Sequence, residues 1–447
     1  MRITIVGVGE VGSYVADRLS GEGHDVVVID ANRRRLQQID ETIDVMTVLG
    51  SGSSPRVLAE ARVDKTDLLV ALTDNDEVNL LACMQAKQMG GARTVARLQS
   101  KDLRTRSGLE VRKAIGVDLV LDPDDETADE ILDLLAYQGA SEVAEMAGGE
   151  VLLIGARLSE TAPLVGRSVS DVAAEYAPEW DFLFGTITRE GNTVIVRDND
   201  TLQAHDLLRV VTKRRGRAEL MEILGLRRKR VRKVLLLGGG RTAELVAERL
   251  GPRGVDVVIV DRKPERCQQL SEDVPGALVL QGDITDIDLL VEEEVGSFDA
   301  VVALTGEDDA NILACLFAKT EGAGETIAVV HRLSLLSLLD QVGIDAALSP
   351  RTASANSVLR FVRGDVAAVE TFLEGDAEVI ELEVKPDTRA VGTPISQLHL
   401  PRNVLVGAIV RDGKAEIARG RSVLRVRDHV IVFSLPEHVD EVHRAFG

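Results

Sequence analysis

The chain has 447 residues, 45% of them hydrophobic, 28% charged and only 3% aromatic, with a formal net charge of −21. At roughly 100–200 residues per domain this length calls for about three domains, with two to four in range, and the composition excludes a disordered chain. The acidic balance argues against a nucleic-acid binder acting through its whole surface, and no apolar run reaches the roughly 18–20 residues that a membrane span requires.

Arg2-Ile3-Thr4-Ile5-Val6 reads as a short apolar strand entered at once, with no room for a signal peptide, so a cytoplasmic location is expected. It runs into the loop Gly7-Val8-Gly9-Glu10-Val11-Gly12, a helix ending at Gly21, and a second strand, Val26-Val27-Val28-Ile29-Asp30. Further strand ends follow at Gly50-Ser51-Gly52, at Thr73-Asp74 and at Ala96-Arg97, and a sixth short strand precedes Asp122-Pro123. The next segment alternates apolar and polar residues around a hairpin turn at Glu190-Gly191, after a short helix expected from Val165-Gly166.

The pattern then repeats. Lys233-Val234-Leu235-Leu236-Leu237 leads into Gly238-Gly239-Gly240-Arg241-Thr242-Ala243, and Val257-Val258-Ile259-Val260 ends in Asp261, so Gly7 to Gly238 and Asp30 to Asp261 are both offsets of 231. Gly282-Asp283 answers Ser51-Gly52, Thr305-Gly306 with Asn311 answers Thr73-Asp74 with Asn79, His331-Arg332 is matched to Ala96-Arg97, and Ser349-Pro350 answers Asp122-Pro123. Val391-Gly392 and the turn Asp412-Gly413 repeat the small domain. The fold class that follows is α/β: two Rossmann-like doubly wound parallel-sheet domains, each followed by a small α+β domain of the order β–α–β–β–β. The expected boundaries are 1–138 and 232–366 for the Rossmann units, 139–215 and 367–447 for the small domains, and 216–231 for a basic linker that includes Arg217 and Arg227-Arg228-Lys229-Arg230.

A strand, a tight glycine turn and a helix N-terminus together make an anion site. Gly7 allows the turn, Gly9 lets a pyrophosphate approach the backbone, Gly12 lets helix and strand pack, and Asp30 accepts from an adenosine ribose, which favours NAD(H) or an adenine nucleotide over NADP. Arg33, Arg34 and Arg35 read as exposed helix residues. Gly50, Ser51, Gly52, Thr73, Asp74 and Arg97 are the expected further contacts of the first cleft, with Arg97 as a fork donor to phosphate. The second cleft is expected to be a working but different nucleotide site built from Gly238, Gly240, Arg241, Thr242, Asp261, Gly282, Asp283, Thr305, Gly306 and Arg332. Catalysis is not expected. The seven histidines and three tyrosines form no dehydrogenase constellation, and no zinc or hydrolase motif occurs. Cys83, Cys267 and Cys315 form no disulfide framework, and Cys83 and Cys315 read as helix packing.

The runs GVGEVG…VVVID, LTDNDEVNLLAC, GGG…VVIVD and LTGEDDANILAC, with both trailing hairpin domains, resemble the regulatory subunits of Trk-type potassium uptake systems, the tandem RCK (KTN) domain family, over nearly the whole chain. That resemblance implies RCK N-lobes and C-lobes, no enzymatic activity, and binding of NAD(H), ATP, ADP or AMP. It also implies a ring of eight RCK domains from a homotetramer, peripheral at the inner face of the membrane on an integral-membrane potassium-translocating partner, with the helices from Asp124 and from Arg351 in dimer interfaces. Two other readings stay open. One is an NAD-dependent oxidoreductase with a duplicated Rossmann fold. The other is a redox-sensing nucleotide-binding module that contacts DNA through the basic linker.

Overall fold

The computed structural model describes residues 1–100, 103, 114–176, 181–226, 231–339, 342–363, 366–371 and 377–446. The chain forms two compact units, residues 1–126 with 350–364 and residues 127–349 with 365–447.

In the first unit, β1 (Arg2–Val6), α1 (Glu10–Gly21), β2 (Asp25–Asp30), α2 (Arg33–Asp40), β3 (Met46–Leu49), α3 (Pro55–Glu60), β4 (Leu68–Ala71), α4 (Asp76–Gly90), β5 (Arg93–Arg97) and β6 (Leu119–Leu121) follow one another. The strands form one parallel sheet in the order β3-β2-β1-β4-β5-β6. Both faces are buried, which is why the strands are continuous runs of Val, Ile, Leu and Ala and not alternating. Ile3, Ile5, Val28 and Val70 lie in one core; Val27, Ile29, Leu69 and Ala71 lie in the other.

After α5 (Pro123–Ala136), the second unit contains an antiparallel sheet of β7 (Glu142–Met146), β8 (Val151–Arg157), β9 (Phe182–Arg189), β10 (Asn192–Ile195) and β11 (Leu207–Lys213), with α6 (Val169–Tyr176) before β9 and α7 (Arg217–Ile223) after β11. The sheet order is β10-β9-β11-β8-β7. The second Rossmann sheet is built from β12 (Lys233–Leu237), α8 (Arg241–Leu250), β13 (Asp256–Asp261), α9 (Pro264–Asp273), β14 (Ala277–Gln281), α10 (Ile287–Glu292), β15 (Ala300–Ala303), α11 (Asp308–Thr320), β16 (Thr326–Val329), α12 (Leu333–Leu339) and β17 (Ala346–Leu348), in the order β14-β13-β12-β15-β16-β17. Helix α13 (Pro350–Arg363) leads to a second antiparallel sheet, β18 (Val366–Thr371), β19 (Glu378–Glu383), β20 (Val404–Arg411), β21 (Lys414–Ile417) and β22 (His429–Ser434), ordered β18-β19-β22-β20-β21, and to α14 (Val439–Phe446).

The two helices that leave the Rossmann sheets are exchanged. Ile131, Leu132 and Leu135 of α5 are buried with Val234, Leu236 and Ala243 of the second repeat. Ala355, Val358 and Leu359 of α13 are buried with Ile3, Ile5 and Val15 of the first. Each fully buried Leu, Ile or Val contributes about 1.5–3 kcal/mol, so a few residues on each helix are enough to fix the exchange.

The small domains differ from the expected order by one strand. Each sheet has five, because β7 and β18 pair with β8 and β19 ahead of the segment in which the alternation becomes plain. The helix expected after Val391-Gly392 is a single 3₁₀ turn, Ile395–Gln397. The hairpin turns hold: Glu190-Gly191 and Asp412-Gly413 have φ of 50°, 79°, 51° and 71°, the left-handed pair of a tight β-hairpin. Arg189 clamps Asp206 in a fork (2.7 and 2.7 Å), and Arg411 clamps Asp428 in the same way (2.8 and 2.6 Å). The two antiparallel sheets meet at Phe433, which lies on Gly185; a Cβ there would fall 2.1 Å from the ring.

The basic stretch at 216–231 opens on α7, whose Leu220, Met221 and Ile223 are buried in the core of the first antiparallel domain. Just before it, Lys213 and Arg215 both reach Asp181 (2.9 and 3.0 Å), so these two cations are already paired. Arg227-Arg228-Lys229-Arg230 lie outside the described residues. Among the described residues no helix is long and apolar enough to cross a membrane.

Candidate nucleotide clefts

At the carboxyl ends of the first parallel sheet lies an open cavity of about 1010 Å³, lined by Gly7, Val8, Gly9, Glu10, Asp30, Gly50, Ser51, Gly52, Thr73, Asp74 and Arg97 among others. Eleven of the thirteen residues expected here therefore line one space. The two that do not, Val11 and Gly12, face the protein. A Cβ on Gly12 would sit 1.9 Å from the Gly7 carbonyl oxygen, so Gly12 serves helix–strand packing. Gly7 is needed for its backbone, with φ at +93°. Gly9 differs from both: its φ is an ordinary −68°, and a Cβ on it would meet nothing within 4 Å. Among the described residues no neighbour demands glycine at position 9. The room it leaves is cavity, open for a ligand to reach the N–H groups at the start of α1.

Asp30 is 8% exposed, and both its carboxylate oxygens accept backbone N–H groups: Oδ2 from Val8 (2.8 Å) and Oδ1 from Asn32 (2.7 Å). It thus holds the glycine loop in shape, and each oxygen keeps a lone pair for a further donor. Asn32 caps α2 by accepting from Arg34 N and Arg35 N. The cavity also takes in Asn32, Arg33, Arg35 and Gln38, which sequence reasoning left outside it. The three arginines are exposed, as expected, but Arg33 and Arg35 border the cleft and Arg35 Nη1 stands 4.0 Å from Asp30 Oδ2. The available signal was their position, one helical turn past the acid.

The "LT…N" runs have a structural cause. Asn79 is fully buried; its Oδ1 accepts from Thr73 N and Oγ1 (3.0 and 2.6 Å), while its Nδ2 donates to Thr73 O and Arg97 O (2.9 and 2.8 Å). All four bonds of the amide are satisfied, which fixes the ends of β4 and β5 side by side. Arg97 is held by this tie, its side chain reaches the cavity, and its Nε is buried without a hydrogen-bond partner. A phosphate oxygen would satisfy it.

The second cleft repeats the frame. Gly238 has φ +111°, Asp261 accepts from Gly239 N (2.8 Å) and Lys263 N (2.8 Å), and Asn311 ties Thr305 to Val329 O (2.8 Å). That last bond corrects the match made between Arg97 and Arg332. Asn79 reaches Arg97 O and Asn311 reaches Val329 O, and the strand registers Ala71–Ala96 and Ala303–Ala328 agree. The counterpart of Arg97 is therefore Val329. Arg332 lies beyond the strand, where its Nε donates to Asp308 (3.1 Å) and its Nη2 to Asp309. Burial works to raise the Asp308 pKa, but the backbone N–H groups of His331 and Arg332 and both their side chains bring it down to about 2. Arg332 is thus bound up in an ion pair of its own domain.

Two further arginines act on the second loop. Arg266 donates to Gly239 O (2.6 Å) and Glu244 Oε2 (2.7 Å), bracing the turn from outside. Arg262 pairs with Glu307 (2.9 Å), joining the end of β13 to the loop after β15; the matching first-cleft residues, Ala31 and Asn75, simply line the cavity. Arg241 and Thr242 open α8, while Gly282 is pressed against Leu289 and Asp283 accepts from Thr285 N and Oγ1 (2.9 and 2.7 Å). Gly240 and Gly306 keep open space around them.

Cys83 and Cys315 are buried and donate weakly to Val95 O and Ile327 O. Burial pushes both thiols up to about 12, which leaves no thiolate for redox chemistry at neutral pH. No group of His, Cys, Asp and Glu able to hold a metal occurs among the described residues.

Comparison with known proteins accounts for both halves. Residues 3–123 and 234–350 match the TrkA-N domain, and residues 153–225 and 379–447 match the TrkA-C domain. The chain is 34% identical over 453 residues to the Trk system potassium uptake protein TrkA of Halomonas elongata, covering 100% of this chain and 98% of that one. It is 32% identical over 446 residues to the TrkA homolog of Archaeoglobus fulgidus, covering 100% of both. Among solved structures, the GsuK RCK domain superposes with a TM-score of 0.62 at 18% identity, covering 99% of this chain and 94% of that one. The GsuK channel bound to NAD gives a TM-score of 0.62 at 17% identity, covering 99% and 78%. At such identities the likeness speaks for the fold, two RCK N-lobes with two C-lobes. With TrkA-N and TrkA-C domains matched twice each and full-length relatives above 30% identity, the chain belongs to the TrkA family of Trk potassium uptake proteins.

Proposed function

We propose that this chain is a nucleotide-sensing gating subunit that binds NAD(H) or an adenine nucleotide (ATP, ADP or AMP) in the first cleft. Through that binding it sets potassium flow through an integral-membrane Trk-type partner. The carrying observation is the convergence, in one open cavity, of the Gly9 gap at a helix N-terminus, the Asp30 carboxylate and the buried Arg97 Nε without a partner. Each group suits one part of such a ligand: α1 and Arg97 the phosphates, Asp30 the ribose. Among the described residues, the lining holds no His, Lys, Tyr or Cys, the usual proton donors beside a nicotinamide in a dehydrogenase. The chain works as one of four in a ring of eight RCK domains, at the inner face of the membrane. The second cleft, with Val329 in place of an arginine and Arg262–Glu307 tied across it, takes an anionic nucleotide more weakly.

Gating follows by linkage. A nucleotide shifts the ring only by its differential affinity for two conformations, about 1–3 kcal/mol per coupled site, and several sites multiply that bias. Native mass spectrometry with a nucleotide panel, paired with potassium flux through the reconstituted partner, tests the reading; flux indifferent to every nucleotide would sink it. Asp30→Ala is expected to weaken first-cleft binding roughly 10–100-fold, the worth of a charge-assisted hydrogen bond or two. The second site should be left nearly unchanged, and equal loss at both would contradict independent clefts.

A further inference from the structure

We propose that Arg351, carried on the exchanged helix α13, is a charge-compensating residue beside the first cleft: it holds Glu10 neutralised, so that an anionic ligand can enter. This deepens the assignment of the first cleft as a nucleotide site and rests on it. Glu10 is the first residue of α1 and lines the cavity, its side chain 62% exposed. With no ligand present, an acid in the first turn of a helix is favourable, because it faces the positive end of the dipole. A phosphate seeks those same N–H groups, and a bare carboxylate beside it would repel it. Arg351 resolves the conflict. Its side chain is 13% exposed and pairs with Glu10, and it is placed by the packing of Ala355, Val358 and Leu359 in the core that also holds Val15 of α1.

The chain of α13 continues directly from β17 through Ser349, so the residue that answers charge in the first cleft belongs, by sequence, to the second repeat. The sequence inverts the signs at the matching positions: Arg241 stands where the first loop has Glu10, and Asp124 stands where α13 has Arg351. In the first loop an acid is thus paired with a base on the exit helix of the other repeat, and the second loop carries the opposite sign at the same position.

The test is a charge ladder measured on the full-length protein with adenosine, ADP and ATP by calorimetry. For Arg351→Gln the expected result is no change for adenosine, a few-fold loss for ADP and roughly a ten-fold loss for ATP, shrinking as salt rises. Arg351→Lys should keep most of the wild-type affinity. Glu10→Gln should bind ATP at least as well as wild type, and combining it with Arg351→Gln should remove most of the loss. Equal losses for all three ligands, or a loss that Glu10→Gln does not relieve, would mean that Arg351 acts only on folding; amide hydrogen-exchange protection of α1 and α13 in each variant checks this directly. If wild type binds ADP and ATP but Arg351→Gln matches it throughout, the charge-compensating role is wrong and the cleft assignment stands. If wild type binds none of the three, both fall.

Discussion

Replacing Arg209 by alanine is expected to cost the first C-lobe about 3–5 kcal/mol, the range for stripping one partner from a buried ion pair. Arg209, on β11, is completely buried. Its Nε and Nη2 donate to the two oxygens of Glu142 (2.6 and 2.7 Å), and its Nη1 donates to Thr188 Oγ1 (2.9 Å). Gly155 lies between them on β8, and a Cβ there would come within 2.6 Å of Glu142 Oε2. Truncation leaves Glu142, itself only 18% exposed at the side chain, without its counter-charge and opens a cavity in the sheet. Loss of amide hydrogen-exchange protection across β7, β8 and β11 is the measurement to make, because a chain of several domains has no single unfolding midpoint. Protection changed by less than about 1 kcal/mol would refute the argument. Replacing both Arg209 and Glu142 by methionine should recover most of the loss. The second C-lobe already carries a different solution. By strand register, Gly155 becomes Glu381 and Arg209 becomes Ile431. Glu381, 3% exposed, instead accepts from His429 Nδ1 (2.8 Å) and from Ala147 N of the first lobe (2.8 Å). The same sheet position holds an internal ion pair in one copy and a contact between the copies in the other.

The duplication was legible because its markers are local. A glycine with φ near +100° between a strand and a helix, followed by an acid at the end of the next strand, is dictated by backbone geometry over thirty residues, and both copies keep it at an offset of 231. The hairpin turns were legible for the same reason. The exchange of α5 and α13 was not. The apolar stripe of a helix declares that it must be covered but not by which of two nearly identical sheets. Strands β7 and β18 were missed because Glu142-Val143-Ala144-Glu145-Met146 and Val366–Thr371 are short edge strands, where alternation is weak evidence. Eleven of the thirteen residues named for the first cleft line one cavity, but in the second Arg332 was matched to the wrong strand position. Arginine was matched to arginine across a drift in offset, whereas the buried Asn79 and Asn311, at a constant offset of 232, give the true register through the carbonyls they hold. The change at that strand end, Arg97 against Val329, is one of the differences between the two clefts, with Arg262–Glu307 and Arg241.

Glu325→Gln is expected to stabilise the protein at pH 8 by up to about 3 kcal/mol and to have little effect at pH 4.5. Glu325 begins the turn into β16 and is 2% exposed. Its Oε1 accepts from Gly139 N (3.0 Å), in the bend between α5 and β7, while Oε2 is buried without a hydrogen-bond partner. Burial is the main reason its pKa is raised from 4.5 to about 7; the Gly139 N–H works against that, Asp345 adds to it and Lys319 subtracts. Lys319 is itself engaged by Asp345, which also accepts from Thr326 N (2.8 Å), so Lys319 is not a dedicated counter-ion for Glu325. The sign follows from the raised value. Below the unfolded pKa both states hold the proton, and folding is not penalised. As pH rises from about 4.5 to about 7, the unfolded chain releases its proton and the folded chain retains it, so stability falls. Above about 7 the folded state carries a buried carboxylate and the deficit is constant. Glutamine is isosteric with the protonated acid, keeps the acceptor for Gly139 and cannot ionise, so the variant should show a flat profile where wild type declines. The opening free energies of β16 and of the bend at Gly139, from amide hydrogen exchange across pH 4.5 to 8 for both proteins, decide it. Parallel curves would mean that Glu325 ionises freely in the fold and that the bend at Gly139 is not held by a neutral acid.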